Sequence, residues 1–548
     1  MKLSPILRPR ENNGRGTVVT VIAIITILCL GLFFGLPNLN DFPAYIHAWA
    51  QSDWYALALG FQNNGYDFFH PETLLYNKQY PNIWCYDCGD AITPANMPLH
   101  GYIIALLMKL FGTTAPWVYR GWTLVCSIIG LWFLFLLCRR LTLSGWKALI
   151  VLLTALTSPL YVYYFANFLP SAPALALVME GLWAYIYYWQ EKKTGYWHLS
   201  IALLTLATLT RTSQAVALVA ICCFELIRIV RKETTLWSKV PAVAIGVMAI
   251  GGFLLWNKHL RLEHGSIFLN ELMPPRSIED IRLVWQHICE SWKYSYFGRM
   301  QQWMLMAITL LALTIAILRK TTKKVQKTNT RQTPISLLLA IWTFGEILFV
   351  IALWSQFAYH DYYFLDSLWL PILIWLALAL NPIPTPKSVL GIAATLTITV
   401  LIAGACFNEA KHTQKARHSG YDMASVCYHN YLGSDIWLDQ QGVSRDAHIA
   451  SVASYPQNSP LILMGRKGYS IMWFGADADV SVIARSARLF AADYFIIENY
   501  LVPDYFEQFS ELLKYMQPVA ENEHLTLCIL SDTIVNTCAN DFLQKRCN

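Results

Sequence analysis

The sequence predicts an all-α polytopic membrane domain of about eleven transmembrane helices, followed by a C-terminal extracytoplasmic α/β domain. Three observations predict it: too little charge for a soluble chain, a succession of apolar runs, and a tail in which that succession stops. Of 548 residues, 55% are hydrophobic and 14% charged, and the mean hydropathy is +0.38. Soluble chains carry about 25% charged residues, so this one could not cover a soluble surface. The 21 Trp, 29 Tyr and 26 Phe suit a protein whose aromatic rings sit at headgroup level.

The first apolar run, Thr17 to Leu36, follows Arg15 and is long enough to cross a bilayer core of roughly 30 Å. No small-residue cleavage site follows it, so the expectation is a retained helix. Further spans are expected at 116–138, 148–166, 169–189, 199–211, 213–229, 240–256, 303–318, 335–354, 364–380 and 388–406. The 199–229 stretch reads either as one tilted helix or as two broken at Arg211-Thr212-Ser213. Two are preferred, because the loop charges then alternate.

With the N-terminus cytoplasmic, segments 1–16, 139–147, 190–198, 228–239, 319–334 and 381–387 carry 20 Lys/Arg against 3 Asp/Glu. The first outer loop, 37–115, has only Lys78 and Lys109, against six acids. That is the positive-inside pattern. It also explains the net charge of +6 without nucleic acid: the cations line short cytosolic loops beside anionic lipid. The expected domains are therefore a transmembrane domain, 1–406, with outer loops 37–115 and 257–302, and an extracytoplasmic domain, 407–548. The expected location is the inner membrane, with the tail periplasmic.

In the tail, Ala447–Ser454, Pro460–Met464, Val480–Ile483, Tyr494–Ile497 and Leu525–Leu530 read as strands. Tyr421–Leu438 and Asp504–Met516 read as amphipathic helices. Gly465-Arg466-Lys467-Gly468 lacks the spacing of a nucleotide loop and reads as a turn. Of the 13 cysteines, those in spans read as small apolar filler. Cys85 and Cys88, in C-x-x-C spacing without a second pair, point to a local disulfide in an oxidising compartment rather than zinc. Cys528 with Cys538 is a second candidate pair.

The chemistry-bearing residues gather in the first outer loop. His47, Gln51 and Trp54 share helical spacing, as do Trp49 and Asp53, so five such groups fall within about two turns. A carboxylate there suits a general base taking a proton from an acceptor hydroxyl, a metal ligand, or a plain helix cap. Arg211 stands inside an apolar stretch, where a charge faces a cavity or partner or snorkels to the interface. Glu180, Glu225, Glu346 and Asp366 read as polar helix–helix contacts. The loop 257–302, with Arg276, Trp285, Trp292, Lys293, Tyr294 and Arg299, suits a sugar or isoprenoid surface or an interfacial amphipathic helix.

These motifs resemble, in order along nearly the whole chain, the GT-C superfamily, and within it glycosyltransferase family 39, which includes protein O-mannosyltransferases and aminoarabinose transferases. The matching segments are Asp53-Trp-Tyr55-Ala56-Leu-Ala58 after span one, the proline-led run Pro98 to Phe111-Gly112, Arg120 opening the next span, and His360-Asp361-Tyr362-Tyr363 late in the chain. Val452–Gly468 resembles part of the small extracytoplasmic domain of bacterial members. The chain departs from the pattern where relatives carry an acid before the proline: here Asn96-Met97 precede Pro98. Asp90 is the nearest substitute for a second carboxylate.

The resemblance implies transfer of a sugar from a polyprenyl-phosphate carrier to an extracytoplasmic lipid, glycan or protein acceptor, with inversion at the anomeric carbon. Asp53 would be the catalytic base or its metal-holding equivalent. His47, Gln51, Arg120, Arg211, Arg299, His360, Tyr362 and Tyr363 would bind substrate or its phosphate. A divalent metal, with His360 and Asp361 as ligands, is an expectation of the same kind. A glycan polymerase or ligase, a lipid-linked glycan transporter and a non-catalytic assembly protein are the alternative readings. The last predicts that Asp53→Asn is silent.

Overall fold

The computed structural model describes residues 13–76, 90–268, 271–322, 333–386, 388–420, 422–453, 455, 457–472, 492–503 and 516–530. The candidate disulfide Cys85–Cys88, together with Cys538, Val480–Ile483 and most of Asp504–Met516, lies outside them. Seven helices among the described residues are long and apolar enough to cross a membrane: Gly16–Gly35, Pro116–Thr142, Thr212–Val230, Val240–His264, Arg299–Leu318, Ile335–Ala352 and Val389–Arg417. The expected span 169–189 is the helix Ser171–Glu191.

The chain forms two compact units. The first comprises Met1–Leu39, Arg120–Phe253 and Glu271–Ala416 and holds most of the apolar helices. Small residues let its helices approach closely, as is usual inside a bilayer. A Cβ on Gly130 would lie 2.7 Å from Ala176, and one on Gly181 would lie 2.8 Å from Leu204.

The 199–229 stretch is two helices. Thr194–Thr210 ends at Arg211, whose backbone is extended (φ −149°, ψ 109°), and a 3-10 turn, Thr212–Gln214, leads into Ala215–Val230. Two other expected spans are interrupted. The run 148–166 divides into Gly145–Leu156 and Pro159–Tyr164; Pro159 lacks the N–H that would continue the first helix. The run 364–380 divides into Tyr362–Asp366 and Trp369–Leu380. Loop 257–302 contains the helix Ile278–His287, capped by Ser277, whose Oγ accepts from the Asp280 N–H at 3.0 Å.

The second unit comprises Asn40–Tyr119, Leu254–Asn270 and Arg417–Asn548. Its sheet has strands β1 (Ile449–Ala453), β2 (Gly468–Met472), β3 (Tyr494–Glu498), β4 (Met516–Glu521) and β5 (Leu525–Leu530), in the order β2-β1-β3-β5-β4. β1 runs parallel to β2 and β3, and β5 runs antiparallel to β3 and β4. Every residue of β1 is buried, as a central strand requires.

Three tail expectations are corrected. Pro460–Met464 is not a strand but lies in a helix, Asn458–Met464, which Gly465 ends in the left-handed region (φ 62°). Tyr421–Leu438 is two helices, Met423–Tyr431 and Ser434–Gln440, separated at Gly433 (φ 79°). Met516 opens a strand rather than closing a helix. The segment 40–119 contributes to this unit the helices Ala48–Asn63 and Leu99–Phe111. Its segment 74–76 extends the sheet beyond β2: the Gly468 N–H donates to the Leu74 carbonyl and the Tyr76 N–H to the Gly468 carbonyl, both at 2.9 Å.

Candidate functional site

Asp53 sits in the second turn of the helix Ala48–Asn63 and is 3% exposed. Its Oδ1 accepts from the Asn458 side-chain amide at 2.7 Å, and the Trp49 side chain, one turn earlier, makes a second hydrogen bond. Burial pushes its pKa up to about 7, offset in part by these two bonds. Loss of hydration penalises the charged form, and bonds from neutral donors recover only some of that cost. The serines beside the pair also meet: Ser459 Oγ donates to Ser52 Oγ at 3.1 Å. Tyr455 accepts the Trp49 N–H at 3.3 Å, and burial raises its pKa.

The other predicted residues of this loop do different work. The Gln51 amide donates to the Ile46 carbonyl at 2.7 Å, fixing the chain entry into the helix. His47 adopts the left-handed region (φ 56°) just before that helix. A cavity of about 270 Å³ in the same unit is lined by Phe42, Tyr55, Gln62, Asn63, Asp435 and Arg445, among others. Gln62 Nε2 is buried with no hydrogen-bond partner among the described residues.

The first unit gathers a second set. Arg211 Nε donates to Asp366 Oδ2 at 2.7 Å, and its guanidinium carbon lies 5.4 Å from the Tyr362 ring and 5.6 Å from the Tyr363 ring. The extended residue that ends the helix thus presents a cation to the His-Asp-Tyr-Tyr segment. Arg211 Nη2 has no hydrogen-bond partner among the described residues. Asp361 is buried and accepts from the Tyr164 hydroxyl at 2.6 Å. His360 packs against Tyr362 and Tyr363.

Arg120 is buried, donates to the Ala166 carbonyl at 3.1 Å and stacks over Phe168. Arg299 is exposed and lies over Tyr294. Among the described residues no three His, Cys, Asp or Glu side chains converge as a metal's ligands. His360 and Asp361 by themselves do not complete such a set.

Two partners escaped the sequence reading. Asp366 read as a polar helix–helix contact without a named partner and is the counter-ion of Arg211. Asn458, 405 positions from Asp53, carries no local signal at all.

The chain is a multi-pass membrane protein with the GT-C fold. A family model described as dolichyl-phosphate-mannose-protein mannosyltransferase matches residues 94–258. Among solved structures, the chain is similar to ArnT from Cupriavidus metallidurans in the apo state, with a TM-score of 0.56 and 13% identity over 94% of this chain and 98% of that one. The same protein bound to undecaprenyl phosphate gives 0.55 and 11%, over 96% and 100%. The arabinofuranosyltransferase AftD from Mycobacteria gives 0.54 and 14%, over 96% of this chain and 41% of that one. No curated protein sequence matches the chain.

Proposed function

We propose that the chain is an integral membrane glycosyltransferase that moves a sugar from a polyprenyl-phosphate carrier to an extracytoplasmic acceptor, with inversion. The observation that carries the reading is Asp53: a buried carboxylate on an outer-loop helix, held near neutrality. A base works best with a pKa close to the working pH. Asp53 takes the proton of the acceptor hydroxyl as that oxygen forms its bond to the anomeric carbon. The bond from that carbon to the phosphate oxygen breaks, and its electron pair leaves with the polyprenyl phosphate.

The departing phosphate needs a cation and donors. Within the first unit, Arg211, whose Nη2 has no partner among the described residues, is the cation suited to a phosphate. The 270 Å³ cavity, with aromatic faces beside amide and charged groups, is assigned to a saccharide of the acceptor. The excess of 20 Lys/Arg over 3 Asp/Glu in alternate loops supports an inner-membrane location with the tail outside. The fold shared with a protein that binds undecaprenyl phosphate supports the donor class.

The test is mass analysis of surface lipids and glycoproteins from cells with and without the gene, complemented by wild type or Asp53→Asn. A sugar missing from the deletion strain should return with wild type and stay missing with the variant. Its return with Asp53→Asn refutes the mechanism.

A further inference from the structure

We propose that Asn458, on the tail helix Asn458–Met464, is a positioning residue that aims the Asp53 carboxylate at its proton donor, so that the C-terminal sheet domain is a working part of the catalytic centre. This rests on the reading of Asp53 as the base.

The geometry leaves Asn458 one orientation. Its Oδ1 accepts from the Leu74 N–H at 3.3 Å and its Nδ2 donates to Asp53 Oδ1 at 2.7 Å. Turning the amide over would face a donor against a donor and an oxygen against a carboxylate. Asn458 is fully buried, so neither bond is traded with water. Leu74 is itself pinned, its carbonyl accepting from Gly468 at 2.9 Å. A rigid chain of bonds thus runs from the β2 edge through Leu74 and Asn458 to one oxygen of Asp53. With that oxygen held, and Trp49 bonded to the same carboxyl, the group cannot swing. Its remaining lone pairs keep one direction toward the acceptor proton.

The choice of side chain fits the task. A Lys or Arg at 458 would hold the charge more firmly but would depress the carboxylate's basicity. A neutral amide orients it at a smaller loss of proton affinity. Three other titratable groups lie on the elements packed around the helix Ala48–Asn63, and the His100 Nε2 is buried with no hydrogen-bond partner among the described residues. His100 faces Tyr119, Lys109 lies over Tyr66, and Glu72 pairs with Lys467 at 2.6 Å. Tyr455, whose pKa the Asp53, Asp422 and Cys427 charges also raise, is the acid facing it from the tail.

The test combines two measurements on full-length protein. Infrared titration of the carboxyl stretch, with Asp53→Asn as the assigning control, reads the Asp53 midpoint without any substrate. The pH dependence of transfer in membrane vesicles, using the product identified above, reads its function. Asn458→Leu removes the donor; the midpoint should rise by about one unit, lowering the ionised fraction at pH 7 from half to about one tenth, and the acid limb of transfer should move with it. Asn458→Gln, which keeps an amide, should recover part of both.

If Asn458→Leu does not accumulate, the isosteric Asn458→Asp serves, with a rise at least as large because a like charge joins the first. An unmoved midpoint in a folded variant overturns the proposal. Full transfer by Asp53→Asn overturns the base reading instead, while the midpoint still reports whether Asn458 holds the carboxylate.

Discussion

Replacing Asp53 by Asn should make the protein more stable while abolishing transfer, and the gain should depend on pH in a defined direction. The folded carboxyl titrates at about 7, against 3.8 for the ordinary side chain. Between those values the folded protein keeps a proton that the unfolded chain has released. Folding is therefore favoured at low pH, and that advantage is lost as pH rises through 7. The difference is about three pH units, and at 1.36 kcal/mol each the charged carboxylate costs about 4 kcal/mol of stability above pH 7. The amide of the Asp53→Asn variant has no proton to lose and keeps the bond to Asn458. The variant should match wild type near pH 4 and exceed it by up to about 4 kcal/mol at pH 8. Thermal melts of the detergent-purified pair, from pH 4 to pH 8, measure this directly. Parallel curves across that range would refute the reasoning, because they would mean that Asp53 ionises as it does in water.

Two further outcomes follow from the packing. Asp366→Ala leaves the buried Arg211 cation without its partner and should cost about 3–5 kcal/mol, whereas Arg211→Met with Asp366→Leu should recover stability to near wild type; melting temperatures read the first effect, and the double variant should still fail in transfer if Arg211 serves the phosphate. A Cβ at residue 60 would collide with the Glu72 carbonyl, so Gly60→Ala should lower stability by about 1–3 kcal/mol, measured by the same melts, and an unchanged melting temperature would show that the loop carrying Glu72 shifts freely.

The membrane helices were legible because each apolar run must satisfy its own backbone hydrogen bonds in lipid. The break at Arg211 was legible because two helices there let the loop charges alternate, and a cation in an apolar run also demands a partner. What the run itself could not say was that the partner is Asp366, more than 150 residues away. Strands β1, β3 and β5 showed through their β-branched and aromatic content. β2 and β4 did not. β4 carries Pro518, tolerated because it is an edge strand, and β2 begins inside what reads as a turn. Pro460–Met464 misled because a five-residue apolar run has no resolvable period; Pro460 fits the first turn of a helix, where its missing N–H costs nothing. Asp53 and Arg211 each stood out by type and setting. Asn458 could not, since a lone amide beside a short helix looks like any cap until the fold brings it to an acid.

The Leu74–Gly468 backbone pairing and the Asp53–Asn458 bond both join the start of the chain to its end. At a synthesis rate of about 5–20 residues per second, the ribosome needs roughly 20–80 s to make the intervening polypeptide. During that interval the early segment exists while the residues it pairs with do not. Until then the Asp53 carboxylate lacks the Asn458 amide that holds it in the complete fold. Completion of the sheet edge and of the buried carboxylate's partners is thereby tied to completed translation.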